Sequence, residues 1–189
     1  MPFGAHETVE THEILNEKMN MIRHFAMYRA MCSSEELRRM IDRQLTELTR
    51  SYDRLANYTR DYAARFGVPQ QYAQPQGTPQ QVLYGLRQPA PVSPQLDGSM
   101  DDRGIALAVL CAHKNAAKNQ MAACLEAADP NLRRMLSDDA VMCANMAYET
   151  FLFMNRQGDY QVPTLLDQTA KTFLHAYRPA GEPISPFVS

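Results

Sequence analysis

Glycine and proline are missing from two long stretches of the chain, and this distribution constrains the fold more than any other feature of the sequence. Neither residue occurs between Gly4 and Gly67, and Pro130 alone interrupts the stretch from Gly104 to Gly158. Because both residues break helices, these stretches predict two long helical regions. The segment between them carries six of the twelve prolines and eight glutamines, which predicts an irregular connector.

A short break divides each helical region into two helices. Capping patterns mark three of the helix starts, because a side-chain oxygen there can accept from free main-chain amides. These patterns are Ser33 with Glu36, Ser99 with Asp102, and Asp129 with Pro130. The sequence therefore predicts an all-α chain with helices at 7–32, 34–66, 101–128 and 130–157.

Each predicted helix carries apolar residues at steps of three and four, which indicates one buried face. The predicted core residues are Ile14, Met21, Phe25, Tyr28 and Cys32 in the first helix; Ile41, Leu45, Leu48, Tyr52, Leu55, Thr59, Tyr62 and Phe66 in the second; Ala106, Leu110, His113, Ala117, Met121, Cys124 and Ala128 in the third; and Leu132, Leu136, Ala140, Cys143, Ala147, Phe151 and Met154 in the fourth.

A short repeat indicates that the second helical hairpin duplicates the first. Leu37-Arg38-Arg39-Met40 recurs 95 residues later as Leu132-Arg133-Arg134-Met135, and Val68-Pro69 recurs as Val162-Pro163. Two such hairpins can pack as a pseudo-symmetric four-helix bundle.

The connector decides how the two hairpins are joined. A helix of the predicted length spans about 42 Å, and a connector of this size reaches further than that. One long crossover gives the ferritin-like arrangement. We therefore predict a single domain over 1–163, with hairpins at 7–66 and 101–157, a crossover at 67–100, and a tail at 164–189 in which a short helix can form.

Composition excludes several classes of function. The net charge is −2, with 19 basic and 21 acidic residues, so no basic excess favours nucleic acid. No apolar run approaches the length of a membrane span, and the start lacks the pattern of a secretory signal, so we expect synthesis in the cytosol. The four cysteines have no CxxC spacing, which predicts small buried residues in a reducing compartment.

A ferritin-like bundle raises the question of a di-iron centre. Such a centre needs a Glu-x-x-His step on two helices, and this step occurs nowhere in the sequence. His12 and His113 remain, with Glu13, Glu17 and Glu149 as the nearest candidate partners. They are either ligands or proton-transfer groups, or they are packed histidines bonded to a carboxylate or a neighbouring helix. The second interpretation is favoured.

Nucleophilic catalysis finds no support in the sequence. There is no Gly-x-Ser-x-Gly elbow and no glycine-rich phosphate loop. Cys111 lies two residues from His113, and residues at that spacing point to different faces of a helix. The sequence thus predicts no catalytic, cofactor-binding or metal-binding residues and no enzyme.

Short motifs at the helix ends carry a family resemblance. They are Gly4-Ala5-His6-Glu7, Thr11-His12-Glu13-Ile14-Leu15, Met100-Asp101-Asp102-Arg103-Gly104-Ile105-Ala106, Glu126-Ala127-Ala128-Asp129-Pro130-Asn131-Leu132-Arg133-Arg134-Met135-Leu136, Ala147-Tyr148-Glu149 and Met154-Asn155-Arg156-Gln157-Gly158-Asp159-Tyr160. Together, over residues 4–163, the chain resembles the spore coat F family of endospore-forming bacteria. The resemblance implies a ferritin-like fold and association with the spore coat. It carries over no catalytic residues.

The function predicted from these observations is a non-catalytic structural or interaction protein of the spore coat. It would be made in the mother cell and would bind other coat proteins or further copies of itself. The nine tyrosines and the many glutamines would allow coat cross-linking by tyrosine coupling or transglutamination, with Tyr72, Tyr84 and Tyr177 as the candidate tyrosines. One alternative is a ferritin-like metal-binding or redox protein with an atypical His/Glu site. Another is a small-molecule binder that uses a gap left by Ala116, Ala117, Ala122 and Ala123.

Overall fold

The computed structural model describes residues 3–61, 72–73, 75, 78–89, 91–94 and 96–180. This part of the chain is helical, with a 3₁₀ turn at Pro79–Gln81 and no strand, only an isolated parallel bridge between Tyr84 and Val162. The helices are α1 (Ala5–Met31), α2 (Glu35–Arg60), α3 (Asp102–Glu126), α4 (Pro130–Gln157) and α5 (Asp167–Leu174). The predicted all-α class is therefore confirmed.

One predicted helix start is confirmed and two shift by a residue or more. Asp129 caps α4 as predicted, accepting from the amides of Asn131 and Leu132. Ser34 rather than Ser33 caps α2, and Asp101 rather than Ser99 caps α3. In both corrections the true cap precedes the first helical residue directly, where its oxygen reaches the amide three residues ahead.

Three helix ends also differ from the prediction. The first helix is Ala5–Met31, whereas 7–32 was predicted. The second helix ends at Arg60, with extended backbone at Asp61, whereas the periodicity predicted helix to 66; residues 62–66 lie outside the described part. The third helix ends at Glu126 rather than 128. The fourth has its predicted bounds, because Gly158 adopts the left-handed conformation that ends a helix.

The four long helices pack side by side in antiparallel pairs. Helix α1 packs on α2 and α3, and α4 packs on α3 and α2. The start of α1 lies beside the α3–α4 turn, where Glu7 accepts from the amide of Asp129. The start of α3 lies at the other end, where Asp102 accepts from the amide of Ser34. Helices α1 and α4 therefore face each other across one diagonal, and α2 and α3 face each other across the second.

The connector between α2 and α3 runs from one end of the helices to the other. The last turn of α2 lies near the α3–α4 turn, because the Tyr58 hydroxyl donates to Asp129. Further along, the amide of Leu83 donates to Asn155 Oδ1, and Asn155 Nδ2 donates to the carbonyl of Leu83. Hydrogen bonds between the Leu83 main chain and the Asn155 side chain thus attach this part of the connector to the end of α4. The side chains of Tyr84 and Leu86 are exposed.

The buried faces of the helices differ in part from the predicted stripes. All four stripes contain buried residues, but some predicted core residues are not buried. Met121 is exposed, and the half-buried ones are Tyr28, Leu45, Tyr52, Thr59, Ala117 and Phe151. In α2 two of the inward positions are occupied by the polar residues Gln44 and Ser51. The sequence prediction assigned large apolar side chains at the edge of the core to its interior, because it expected no polar side chains there. Predicted core residues Tyr62 and Phe66 lie outside the described part, and Ala128 is exposed.

None of the helices in the described part is long and apolar enough to cross a bilayer.

Candidate functional site

A cluster of polar side chains lies in the core, with one member from each long helix. The Lys18 ammonium of α1 donates to Ser51 Oγ of α2 at 2.6 Å, to Gln120 Oε1 of α3 at 2.8 Å and to Asp139 Oδ2 of α4 at 3.0 Å. All four residues are at most 3% exposed. A buried charge needs a partner and hydrogen bonds for its remaining donors, and here the three protons of Lys18 meet three oxygens.

Two further side chains complete this polar core cluster. Arg54 of α2 donates to Asp139 Oδ1, and Ser51 Oγ donates to Oδ2 of the same carboxylate at 2.6 Å. The Gln120 amide donates to Sγ of Cys143 at 3.3 Å. Burial raises the pKa of the Cys143 thiol to about 11, so this sulfur is a protonated neighbour and not a thiolate.

A second polar contact crosses the core along the other diagonal. His113 Nε2 lies 3.0 Å from Gln44 Oε1. The Gln44 amide nitrogen donates to the Met146 carbonyl, to Glu149 and to Thr150, so its oxygen is the acceptor and His113 Nε2 carries the proton. Burial lowers the pKa of His113 to about 3, so the ring is neutral. Its Nδ1 has no hydrogen-bond partner.

Glu149 links this contact to the surface. Its carboxylate accepts from Gln44, from Arg43 at 2.7 Å and from the Tyr72 hydroxyl at 2.5 Å. Burial and the neighbouring carboxylate raise the pKa of Tyr72. The carboxylate thereby fixes a point of the connector to the pair of helices α2 and α4.

The two turns between paired helices are held in the same way at opposite ends of the protein. Glu7 accepts from the amides of Ala128 and Asp129, at 2.9 and 2.6 Å. Asp102 accepts from the amides of Ser33 and Ser34, at 2.9 and 2.8 Å. Acceptors and donors are each 95 residues apart in the chain, and we refer to residues at this spacing as quasi-equivalent.

The histidines and glutamates considered as candidate ligands do not come together in one site. His12 is exposed and its ring contacts Asn16 one turn later, whereas His113 is fully buried beside Gln44. Glu17 accepts from Asn119 at 2.8 Å, and burial raises its pKa. Glu13 is exposed. Within the described ranges, no three His, Cys, Asp or Glu side chains form a group that could hold a metal ion.

The alanines of α3 do not line the groove between α2 and α4. Ala116 and Ala123 are buried and Ala122 is exposed. A groove of about 510 Å³ lies instead between α2 and α4 beside the connector. Its walls carry Arg39, Arg43 and Arg156, which pair with Glu35, Glu149 and Glu36 respectively.

Sequence reasoning missed the polar core cluster, although the periodicity contained a signal for it. Lys18 lies four residues after Ile14 and three before Met21, which places it on the buried face of α1. Gln120 and Asp139 occupy inward positions of α3 and α4 in the same way. A polar residue in register with a buried stripe is the pattern that predicts an interior polar contact.

Comparison with known proteins places the chain in a family. The sequence model of the Coat F domain matches residues 101–163, the second hairpin. The spore coat protein F-like protein YhcQ of Bacillus subtilis (strain 168) is 31% identical over 184 residues, covering 97% of this chain and 84% of YhcQ. The chain therefore belongs to the spore coat protein F-like family.

A solved structure shares the fold. The crystal structure of a protein from Bacillus halodurans C-125, described as a spore coat protein, superposes with a TM-score of 0.64. The match covers 88% of this chain and 97% of the other, at 12% sequence identity. At that sequence identity, the structural similarity shows a shared fold and nothing about function.

Proposed function

We propose that this chain is a non-catalytic structural and interaction protein of the bacterial endospore coat. The observation that carries the proposal is the identity to YhcQ, which extends over nearly the whole chain and so includes both hairpins. The protein would be made in the mother cell and assembled into the coat around the forespore.

The interior chemistry supports a structural role. Lys18, Ser51, Gln120 and Asp139 bond to one another, so their donors and acceptors are already engaged. A catalytic group must instead present a free functional atom to a substrate. The polar core cluster joins four helices and thereby fixes how the two hairpins meet.

We further propose that the domain is a ferritin-like four-helix bundle, over 1–163, that arose by duplication of one hairpin. The quasi-equivalent contacts support this, since Glu7 and Asp102 hold turns at residues that are also 95 apart. The connector from Asp61 to Asp101 corresponds to the single long crossover of that arrangement.

The tail offers a surface for interaction. Leu165, Leu166, Phe173, Leu174 and Tyr177 around α5 are each at least 67% exposed. Exposed apolar side chains of this density mark contact surfaces between proteins. Contact with further copies of the chain or with other coat proteins would bury them. Tyr84 and Tyr177 are exposed and available for cross-linking, whereas Tyr72 is bonded to Glu149.

The location of the protein in sporulating cells tests the coat assignment. A fluorescent fusion of the full chain, produced in sporulating Bacillus subtilis, is expected to form a ring around the forespore and to remain with the coat extract of purified spores. The same fluorescent protein without the chain is the control. A fusion spread evenly through the mother cell, and absent from the coat extract, would contradict the assignment.

The oligomeric state tests the tail surface. We expect the full chain to form a defined oligomer in light scattering, and the variant Phe173→Ser with Leu174→Ser to have a lower mass. Leu107→Ser, an exposed residue of α3, is the matched control and should leave the mass unchanged. Equal masses for all three proteins would exclude α5 as the contact surface.

A further inference from the structure

The polar core cluster has the geometry of a cation site. Three oxygens, from Ser51, Gln120 and Asp139, converge on one point at 2.6 to 3.0 Å. They come from three helices and are almost completely buried. A carboxylate with neutral oxygens is the ligand set that hard cations prefer. We propose that these oxygens form a buried cation-binding cage and that the Lys18 ammonium is a tethered cation that fills it.

The quasi-equivalent half of the core shows what distinguishes the cage. His113 is quasi-equivalent to Lys18, and Gln44 to Asp139, so each pair joins diagonal helices at matching positions. Around His113, Gln44 Oε1 takes the place of the Asp139 oxygen, and the counterparts of the other two cage oxygens are missing. Phe25 is quasi-equivalent to Gln120, and its ring meets the His113 ring edge-on at 5.1 Å.

The charges of the two halves agree with this difference. Asp139 supplies the negative charge that Lys18 and Arg54 share, whereas its quasi-equivalent Gln44 is neutral. The carboxylate of Glu149, which accepts from Gln44, is paired with Arg43. Met146 is quasi-equivalent to Ser51 and offers a thioether where the cage has a hydroxyl. The half around His113 therefore binds a neutral imidazole, and the cage binds a cation.

Small cations should replace the tethered ammonium when it is removed. In full-length Lys18→Ala, the three oxygens keep their positions on their own helices and the lysine stem leaves room for a small amine. We expect ethylammonium chloride to raise the melting temperature of this variant by about 5 °C relative to tetramethylammonium chloride of the same ionic strength. Tetramethylammonium has no N–H to donate and is too bulky for the cage.

Two matched variants separate cage binding from a general salt effect. Lys18→Met fills the space without a charge, and His113→Ala opens the half in which Gln44 supplies one neutral oxygen in place of the three of the cage. Neither should distinguish the two salts. The proposal is wrong if Lys18→Ala melts at the same temperature in both salts, or if either control responds as strongly.

The two salts can also be compared if Lys18→Ala does not fold in dilute buffer. Far-ultraviolet circular dichroism then measures recovery of helix after addition of each salt. Recovery in ethylammonium alone supports the cage, and absence of recovery in both salts overturns it. Adding Asp139→Asn to Lys18→Ala removes the charge of the cage and should abolish the response to ethylammonium.

Discussion

The Lys18 ammonium lies 3.0 Å from Oδ2 of Asp139, although 121 residues separate them in the chain. Both side chains are buried, and they join helices that face each other across the core. A buried charge such as that of Lys18 destabilises the folded state strongly when its partner is removed. Asp139 is the charged partner of Lys18 and also pairs with Arg54. The pair links the two hairpins, because Lys18 lies in the first and Asp139 in the second.

Removing one partner of this pair should cost more than replacing both. We expect Asp139→Asn to lower the free energy of unfolding by about 3–5 kcal/mol, because it leaves the Lys18 charge unpaired. Because Arg54 also pairs with Asp139, the triple variant Lys18→Met, Arg54→Met and Asp139→Leu leaves no unpaired charge and should lose less than Asp139→Asn alone. Urea denaturation at pH 7 measures each loss.

An exposed ion pair provides the control for this comparison. Arg29 and Asp42 lie 3.0 Å apart, with about half of each side chain exposed. Asp42→Asn should cost at most about 1 kcal/mol. If Asp139→Asn is as mild as this, the buried pair does not stabilise the protein as its geometry indicates.

The carboxylate of Glu7 should contribute stability that depends on pH. Hydrogen bonds from the amides of Asp129 and Gly4 lower its pKa below the usual value. A lowered pKa means that the contribution is complete above the unfolded-state value of about 4.3 and is lost as the pH falls through the folded-state value. We expect Glu7→Gln to lose about 2 kcal/mol at pH 7, with a smaller difference from wild type below pH 4.

Asp102 gives the matched test at the other end of the protein. Asp102→Asn should also lose about 2 kcal/mol at pH 7, because it too accepts two main-chain amides. The losses should add in the double variant, since the two turns are far apart. A Glu7→Gln variant as stable as wild type at pH 7 would show that the carboxylate does not hold the turn.

The buried imidazole of His113 should destabilise the protein as the pH falls. Its pKa is lowered to about 3 by burial, whereas an unfolded chain titrates near 6.5. Between these values the unfolded state binds a proton that the folded state does not. The free energy of unfolding should therefore decrease by up to about 1.4 kcal/mol per pH unit below pH 6.5.

A variant without the imidazole shows how much of the pH dependence of the free energy of unfolding comes from His113. His113→Gln should lack the part of the pH dependence that lies between pH 6.5 and 4.5, as measured by urea denaturation. His12→Gln is the control, because it removes an exposed histidine that lies outside the core and should leave the slope as in wild type. Identical slopes in His113→Gln and wild type would contradict the assignment of a buried neutral ring.

One of the four thiols should react in the native protein. Cys111 is exposed, whereas Cys32, Cys124 and Cys143 are buried, and burial raises the pKa of Cys32 and of Cys143 to about 11. Iodoacetamide at pH 7.5 should therefore add one group, which mass spectrometry should place on Cys111. Cys111→Ser should remain unmodified until it is unfolded, and an early adduct on Cys143 would mean that the core opens.

Local sequence signals account for most of the helix boundaries. Helix α4 has its predicted bounds because Asp129, Pro130 and Gly158 act within one turn of the helix ends. The cap of α2 was predicted one residue early, since Ser33 and Ser34 are the same residue type and local pattern does not separate them. The site was harder to predict, because the periodicity places Lys18 on the buried face of α1 but does not identify its partners on the other helices.

The sequence by itself determined that this chain forms long helices with short turns, because glycine, proline and capping residues act on neighbouring main-chain groups. It also identified the family. Only the tertiary structure decided that Lys18 meets Asp139 and that His113 meets Gln44. These contacts join residues that are far apart in the chain, so they exist only once the hairpins have packed and water has left the core.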